Sequence, residues 1–227
     1  MISEVYNCDC LEYMKSLPDK YFDLCIADPP YGIGMGTYNR TNKTPQGIRY
    51  KANRYHHAEW DNNIPTEELF KELFRVSKEV IIWGGNYFPM LWKNGCKGFI
   101  FWDKKQPVDN FSDGELAYTS FNKHAKCFRY PYYGNINSEK NRIHPTQKPA
   151  ALYSWILDNY AKQGDKIFDP FLGSGSSRIA AYKKGFDFYA CELDKAYYEA
   201  QEERFRKECL GEIKQSNGTT VTQMTLF

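Results

Sequence analysis

The apolar run Tyr21-Phe22-Asp23-Leu24-Cys25-Ile26-Ala27 is broken by Asp28-Pro29-Pro30-Tyr31, and that break limits what the chain can fold into. Two consecutive prolines fix φ twice and remove two amide donors, so no sheet ladder runs on through them. The run reads as a strand that ends at Asp28. Gly32-Ile33-Gly34-Met35-Gly36 follows at once and frees the backbone to turn. In an open α/β sheet, ligands sit outside the carboxyl ends of the strands. An acid, carbonyls free of competing amides and an aromatic plate at that place suit a planar amino group. The acceptors take its two hydrogens while its ring stacks on Tyr31. Asp-Pro and Pro-Pro are also ordinary turn formers, so a second motif is needed before this one carries a function.

The rest of the chain alternates strand-like and helix-like stretches. Asp9 and Glu12 have capping-box spacing and predict a helix over 11–17, stopped by Pro18. Thr66 caps a helix through about Val76, with Glu67 and Glu68 suited to its first turn. Val80-Ile81-Ile82-Trp83 and Gly98-Phe99-Ile100-Phe101-Trp102 read as strands, and Glu115-Leu116-Ala117-Tyr118 as a shorter piece. Pro149 opens a helix running to about Gln163 and closed by Gly164. A charged helix is expected from about Lys195 to Cys209. This order predicts an α/β fold in three layers, a mainly parallel sheet with helices on both faces.

The second motif lies downstream. Lys166-Ile167-Phe168 leads into Asp169-Pro170-Phe171-Leu172-Gly173-Ser174-Gly175, a helix follows, and the strand Phe188-Tyr189-Ala190-Cys191 ends at Glu192. Strand, Gly-x-Gly, helix, strand, acid is the layout of a nucleotide-binding half, with the acid placed to accept from ribose hydroxyls. A nicotinamide dinucleotide fits poorly. The third small residue of its fingerprint falls at Arg178, and Asp169 would confront a pyrophosphate. An acid there suits the ammonium of an amino-acid-bearing nucleoside instead.

Net charge is only +2, but it is unevenly placed. No acid occurs from Pro29 to Ala58, where Arg40, Lys43, Arg49, Lys51 and Arg54 alternate with Tyr38, Tyr50 and Tyr55. A second basic and aromatic stretch holds Lys123, Lys126, Arg129, Lys140, Arg142 and Lys148 with Phe128, Tyr130, Tyr132 and Tyr133. Such patches suit phosphates and unstacked bases. The 7 cysteines lack zinc-site spacing, so no metal is expected and reduced thiols are the simpler account. No apolar stretch is long enough to span a membrane, and Met1-Ile2-Ser3-Glu4 lacks the regions of a signal peptide, so a cytoplasmic location is expected.

Asp28-Pro29-Pro30-Tyr31, then His144-Pro145-Thr146-Gln147-Lys148-Pro149, then Asp169-Pro170-Phe171-Leu172-Gly173-Ser174-Gly175 resembles the amino-methylating DNA methyltransferases. The motif order resembles their beta class. The resemblance implies a seven-stranded sheet with one antiparallel strand near its edge, and S-adenosylmethionine as cofactor. It places Asp169, Phe171, Gly173, Ser174 and Gly175 around the methionine part of that cofactor, and Glu192 and Leu193 at ribose and adenine. Asp9 and Cys10 would lie near the adenine edge, although Cys8 stands where the family often has glycine. Thr146, Gln147 and Lys148 would reach the cofactor carboxylate. Asp28, Pro29, Pro30 and Tyr31 become the catalytic residues, acting on an exocyclic amine of a base flipped out of duplex DNA, and Asp28 is counted with the cofactor-binding residues as well. Aspartate at the head of the first motif resembles the adenine-N6 enzymes more often. Cytosine N4 is the alternative, and a catalytically silent nucleic-acid-binding module is an alternative of another class. Residues 1–208 read as the catalytic domain, with 36–60 and 104–142 as target-recognition segments and 209–227 as a flexible tail. Gln223-Met224-Thr225-Leu226-Phe227 resembles the short peptide by which bacterial DNA-processing proteins bind the replication sliding clamp, and the family resemblance allows a homodimer.

Overall fold

The computed structural model describes residues 1–34, 61–107, 112–133, 136–137, 142–214 and 220–222. The segment 36–60, with its basic and tyrosine residues, lies outside the described residues, as does Gln223–Phe227.

Among the described residues eight strands form the main sheet: β1 (Ser3–Tyr6), β2 (Phe22–Ala27), β3 (Ser77–Trp83), β4 (Phe99–Asp103), β5 (Gly114–Thr119), β6 (Lys126–Arg129), β7 (Lys166–Asp169) and β8 (Asp187–Cys191). Their order is β1-β8-β7-β2-β3-β5-β4-β6. Every pairing is parallel except the two made by β5, which runs antiparallel to both β3 and β4. The count of seven strands is therefore corrected to eight. The additional edge strand β6 is held by Phe128, which is buried and meets the rings of Tyr130 and Trp155 at 5.4 and 5.3 Å.

Among the described residues five α-helices cover the sheet: α1 (Cys10–Lys15), α2 (Glu67–Val76), α3 (Ala150–Tyr160), α4 (Ser176–Lys183) and α5 (Lys195–Cys209). The strands explain why both faces are covered. On β2 and β3, Leu24, Ile26, Ile81 and Trp83 pack with α3 and α4, while Cys25, Ala27, Val80 and Ile82 pack with α1 and α2. Alternate residues point to opposite faces, and central parallel strands must be apolar on both.

Local signals set most helix ends. Asp9 accepts from the amides of Leu11 and Glu12, and Thr66 accepts from Leu69. Helix α3 stops at Tyr160, short of Gln163. Ala161 is extended, and the Lys162 amide donates to Asp165 at 2.7 Å. Beyond α5, where a flexible tail was expected, β9 (Glu212–Lys214) and β10 (Thr220–Thr222) pair antiparallel. No helix among the described residues is long and apolar enough to cross a membrane.

Candidate active site

The turn after β2 is held from outside itself. The Tyr31 hydroxyl donates to Asp28 Oδ1 at 2.6 Å. The amides of Tyr31 and Gly32 both donate to Asp61 Oδ1, at 2.6 and 3.0 Å, which clamps the chain just beyond the two prolines. The Tyr31 ring stacks on Tyr87 with centroids 4.9 Å apart and planes at 14°. Gly84 stands in the left-handed region at φ 68°, and a Cβ there would overlap the Tyr31 ring. Glycine is needed at 84 on both counts.

Behind Asp28 lies a buried chain of charges. Lys148 Nζ is 2.5 Å from Asp28 Oδ2 and 3.1 Å from Glu115 Oε2, and it also donates to the Tyr31 hydroxyl at 3.2 Å. Glu115 Oε1 in turn takes Lys104 at 2.5 Å. Burial opposes both charges, yet the flanking carboxylates hold the Lys148 ammonium above its ordinary pKa. Lys148 and Lys104 hold the Glu115 carboxyl down at about 2 despite its burial. Topology brings Glu115 here. Parallel strands deliver their carboxyl ends to this edge, while antiparallel β5 delivers its amino end, Gly114–Glu115.

In the turn after β7 the leading acid is satisfied locally. Asp169 is buried, and its carboxylate accepts from the Phe171 amide at 3.0 Å and the Ser177 hydroxyl at 2.5 Å. Burial raises its pKa to about 7, and among the described residues no cation pairs with it. Glu192, just past β8, accepts from the Gly173 amide at 2.7 Å and from Asp194 at 2.9 Å, so it staples the glycine turn to the end of the next strand. Burial is also the main reason its carboxyl titrates above the usual range. Asn7 ties the end of β1 to the same place, donating to the carbonyls of Glu192 and Leu193 at 2.7 and 3.1 Å. His144 lies against Gly173 and meets the Tyr197 ring at 4.4 Å. Burial, with Lys148 and Arg142 nearby, lowers its pKa to about 3, so it is neutral at physiological pH.

Both turns open into one cleft of about 1620 Å³. Its lining includes Asp28, Pro29, Pro30 and Tyr31 on one side and Phe171, Gly173, Ser174, Glu192 and Leu193 on the other. Asp9, Cys10, Thr146, Gln147 and Lys148 line it too. Asp169 and Gly175 are not part of the lining. The first is turned beneath the loop, and the second is the left-handed N-cap of α4, packed on Gln201. Lys148 faces Asp28 and Glu115, and Gln147 spends its side-chain oxygen on the Ile143 amide at 3.0 Å. Asn7, Asp61, Glu115 and Lys104 were missed from the sequence, since each acts through partners in other elements and carries no local signature. Leu193 lines the cleft with 70% of its surface exposed.

Residues 124–203 match the model of the DNA methylase family. A curated relative, the type II methyltransferase M2.MboI of Moraxella bovis, is 25% identical, with 89% of this chain and 87% of the relative aligned. The chain is similar to the amino-methylating DNA methyltransferases. Among solved structures, the M1.HpyAVI–SAM complex is similar with TM-score 0.59 and 22% identity over 90% of this chain and all of that one. PvuII DNA methyltransferase, described as cytosine-N4-specific, is similar with TM-score 0.59 and 16% identity over 90% of this chain and 86% of that one. These two share the fold. The family match spans the glycine turn and Lys148, and the Asp28 turn meets that span in the cleft.

Proposed function

We propose that the protein transfers a methyl group from S-adenosylmethionine to the exocyclic N6 of adenine in duplex DNA, with the target base turned out of the helix. The observation that carries this reading is the single cleft lined by both the Asp28–Tyr31 turn and the Gly173–Ser174 turn. The donor half fits the cofactor. A glycine turn offers backbone access, Glu192 ends a strand where ribose hydroxyls are expected, and exposed Leu193 offers an apolar surface to adenine. When bound, this cofactor supplies a methyl on positively charged sulfur, transferable to a nitrogen lone pair while the carbon–sulfur electron pair stays on sulfur.

The chain's own residues act on the acceptor. An exocyclic amine is a weak nucleophile because its lone pair is delocalised into the base. Asp28 and the Pro29 carbonyl accept its two hydrogens and draw the nitrogen toward tetrahedral geometry. Asp28 then faces the positive charge that develops on nitrogen and is placed to take the proton released. Tyr31, fixed by Asp28, Asp61, Gly84 and Tyr87, provides the wall for the base. This is catalysis by positioning and by a prearranged charge, with no covalent enzyme intermediate. The motif order supports the beta class, and aspartate at position 28 favours adenine.

Cytosine N4 is the second reading, favoured by the fold shared with the cytosine-N4-specific enzyme. Incubation with labelled cofactor and duplex DNA, RNA or protein in parallel, followed by digestion and mass identification of the nucleoside, tests the proposal. N6-methyladenine from duplex DNA is the expected product. N4-methylcytosine selects the second reading, and label on RNA or protein alone rejects both. Target recognition by 36–60 and 104–142, and clamp binding by 223–227, rest on the sequence.

A further inference from the structure

The methyl-transfer reading uses Asp28 but gives no part to the acid two side chains behind it. We propose that Glu115 is a positioning residue for that transfer. It holds Lys148 and offsets its charge, so that Asp28 is fixed in place and keeps its negative field toward the acceptor amine. The inference rests on the proposed function.

The geometry behind it is a line of alternating charge: Asp28, Lys148, Glu115, Lys104, with contacts of 2.5, 3.1 and 2.5 Å. An ammonium 2.5 Å from a catalytic carboxylate is a mixed benefit. It pins the carboxylate, but it also cancels the field that should stabilise positive charge growing on the substrate nitrogen, and in a buried site that cancellation is strong. A second carboxylate on the far side of the ammonium resolves the conflict. Lys148 stays as a fixed strut while its charge is shared between two anions. Lys148 is buried and closely surrounded: Asp28 and Tyr31 from the β2 turn, Glu115 from β5, Trp83 from β3, and His144 on its own loop. Tyr153 of α3 also lines this part of the cleft, and Lys104 bears on the cluster through Glu115. Among these groups, Glu115 is the anion besides Asp28 that contacts the ammonium.

The test uses the full-length protein with duplex DNA, the wild type being assayed alongside. Glu115→Gln is expected to lower kcat by about 100-fold, the scale of a misplaced catalytic group. Binding of S-adenosylhomocysteine by calorimetry should change by less than about threefold, within the non-additivity of neighbouring sites. With one of its two anions gone, Lys148 should lose its proton at lower pH, so the variant's kcat falls off earlier on the alkaline side. Glu115→Asp, which keeps the charge but retracts it by one methylene, should recover part of the lost kcat and keep the wild-type alkaline behaviour. A kcat for Glu115→Gln equal to wild type overturns the proposal, and so does an equal loss of kcat and of cofactor-product binding. Should Glu115→Gln fail to fold, Glu115→Asp decides, and an unchanged kcat in it overturns the proposal. A wild type that transfers no methyl group to DNA defeats the functional reading itself, an outcome distinct from either of these.

Discussion

Asp28-Pro29 and Asp169-Pro170 end neighbouring parallel strands, β2 and β7, that pair through Leu24 with Ile167 and Cys25 with Phe168. The same dipeptide at the same edge of one sheet is used in two ways. Asp169 is turned under its own loop and satisfied by groups two and eight residues away, Phe171 and Ser177, with no cation in contact among the described residues. Asp28 faces the cleft and is satisfied from a distance, by Lys148 across 120 residues of chain, with Tyr31 held in turn by Asp61. A carboxylate that only shapes a turn is completed by local hydrogen bonds. Asp28, which the proposed function turns toward the substrate, is instead paired with a cation brought in by the tertiary fold.

The sharpest way to break this contrast is to alter one acid that serves each turn. Asp28→Ala should cost about 1000-fold in kcat, the upper range for loss of one prearranged electrostatic group. Cofactor binding, measured by calorimetry, should be largely spared. Glu192→Gln tests the other turn. It weakens the staple to Gly173 and Asp194, and loss of a charge-assisted hydrogen bond of about 1.5–3 kcal/mol corresponds to roughly 10- to 100-fold weaker cofactor binding. Its kcat at saturating cofactor should fall far less. If the two variants show the same pattern, the division of labour between the turns is wrong.

Smaller effects sharpen the comparison. Gly84→Ala adds a Cβ into the space of the Tyr31 ring at a left-handed position. It should lower kcat/KM for DNA by about tenfold, the value of one displaced aromatic contact, with the cofactor dissociation constant unmoved. Asp169→Asn should act on stability versus pH. The folded pKa of Asp169, about 7, is raised above the ordinary 3.8, so its contribution is fully present below the ordinary value and is lost as pH rises through 7. Wild-type Tm should therefore decline between about pH 4 and 7 relative to the Asn variant. Parallel melting curves for the two would contradict the burial argument.

Much of the fold was legible because it is written locally. Asp9, Thr66 and Asp194 cap helices by adjacent hydrogen bonds, and the runs ending at Asp28, Asp169 and Glu192 are apolar on both faces. Edge strands were not legible in the same way. β1 has alternating exposure over four residues, and β6 exposes Lys126 and Arg129, so neither is apolar enough to stand out. The two turns of the candidate site were found through Pro and Gly, which constrain the backbone wherever they occur. Glu115 was not found. In sequence it is one acid at the start of a short strand, and its meaning comes only from β5 running antiparallel and meeting Lys148. Lys148 is legible by motif, but no sequence pattern reveals that its ammonium lies between two acids.

The central claim is that Asp28 serves the acceptor while the glycine turn serves the donor, within one cleft. Single-turnover methyl transfer to duplex DNA, with wild type and Asp28→Ala each preloaded with labelled S-adenosylmethionine, tests it most directly. The account predicts that both proteins hold the labelled cofactor before DNA is added, that the wild type then passes the methyl group to DNA, and that Asp28→Ala does not. Transfer from Asp28→Ala at the wild-type rate, or failure of that variant to hold the cofactor at all, would contradict it.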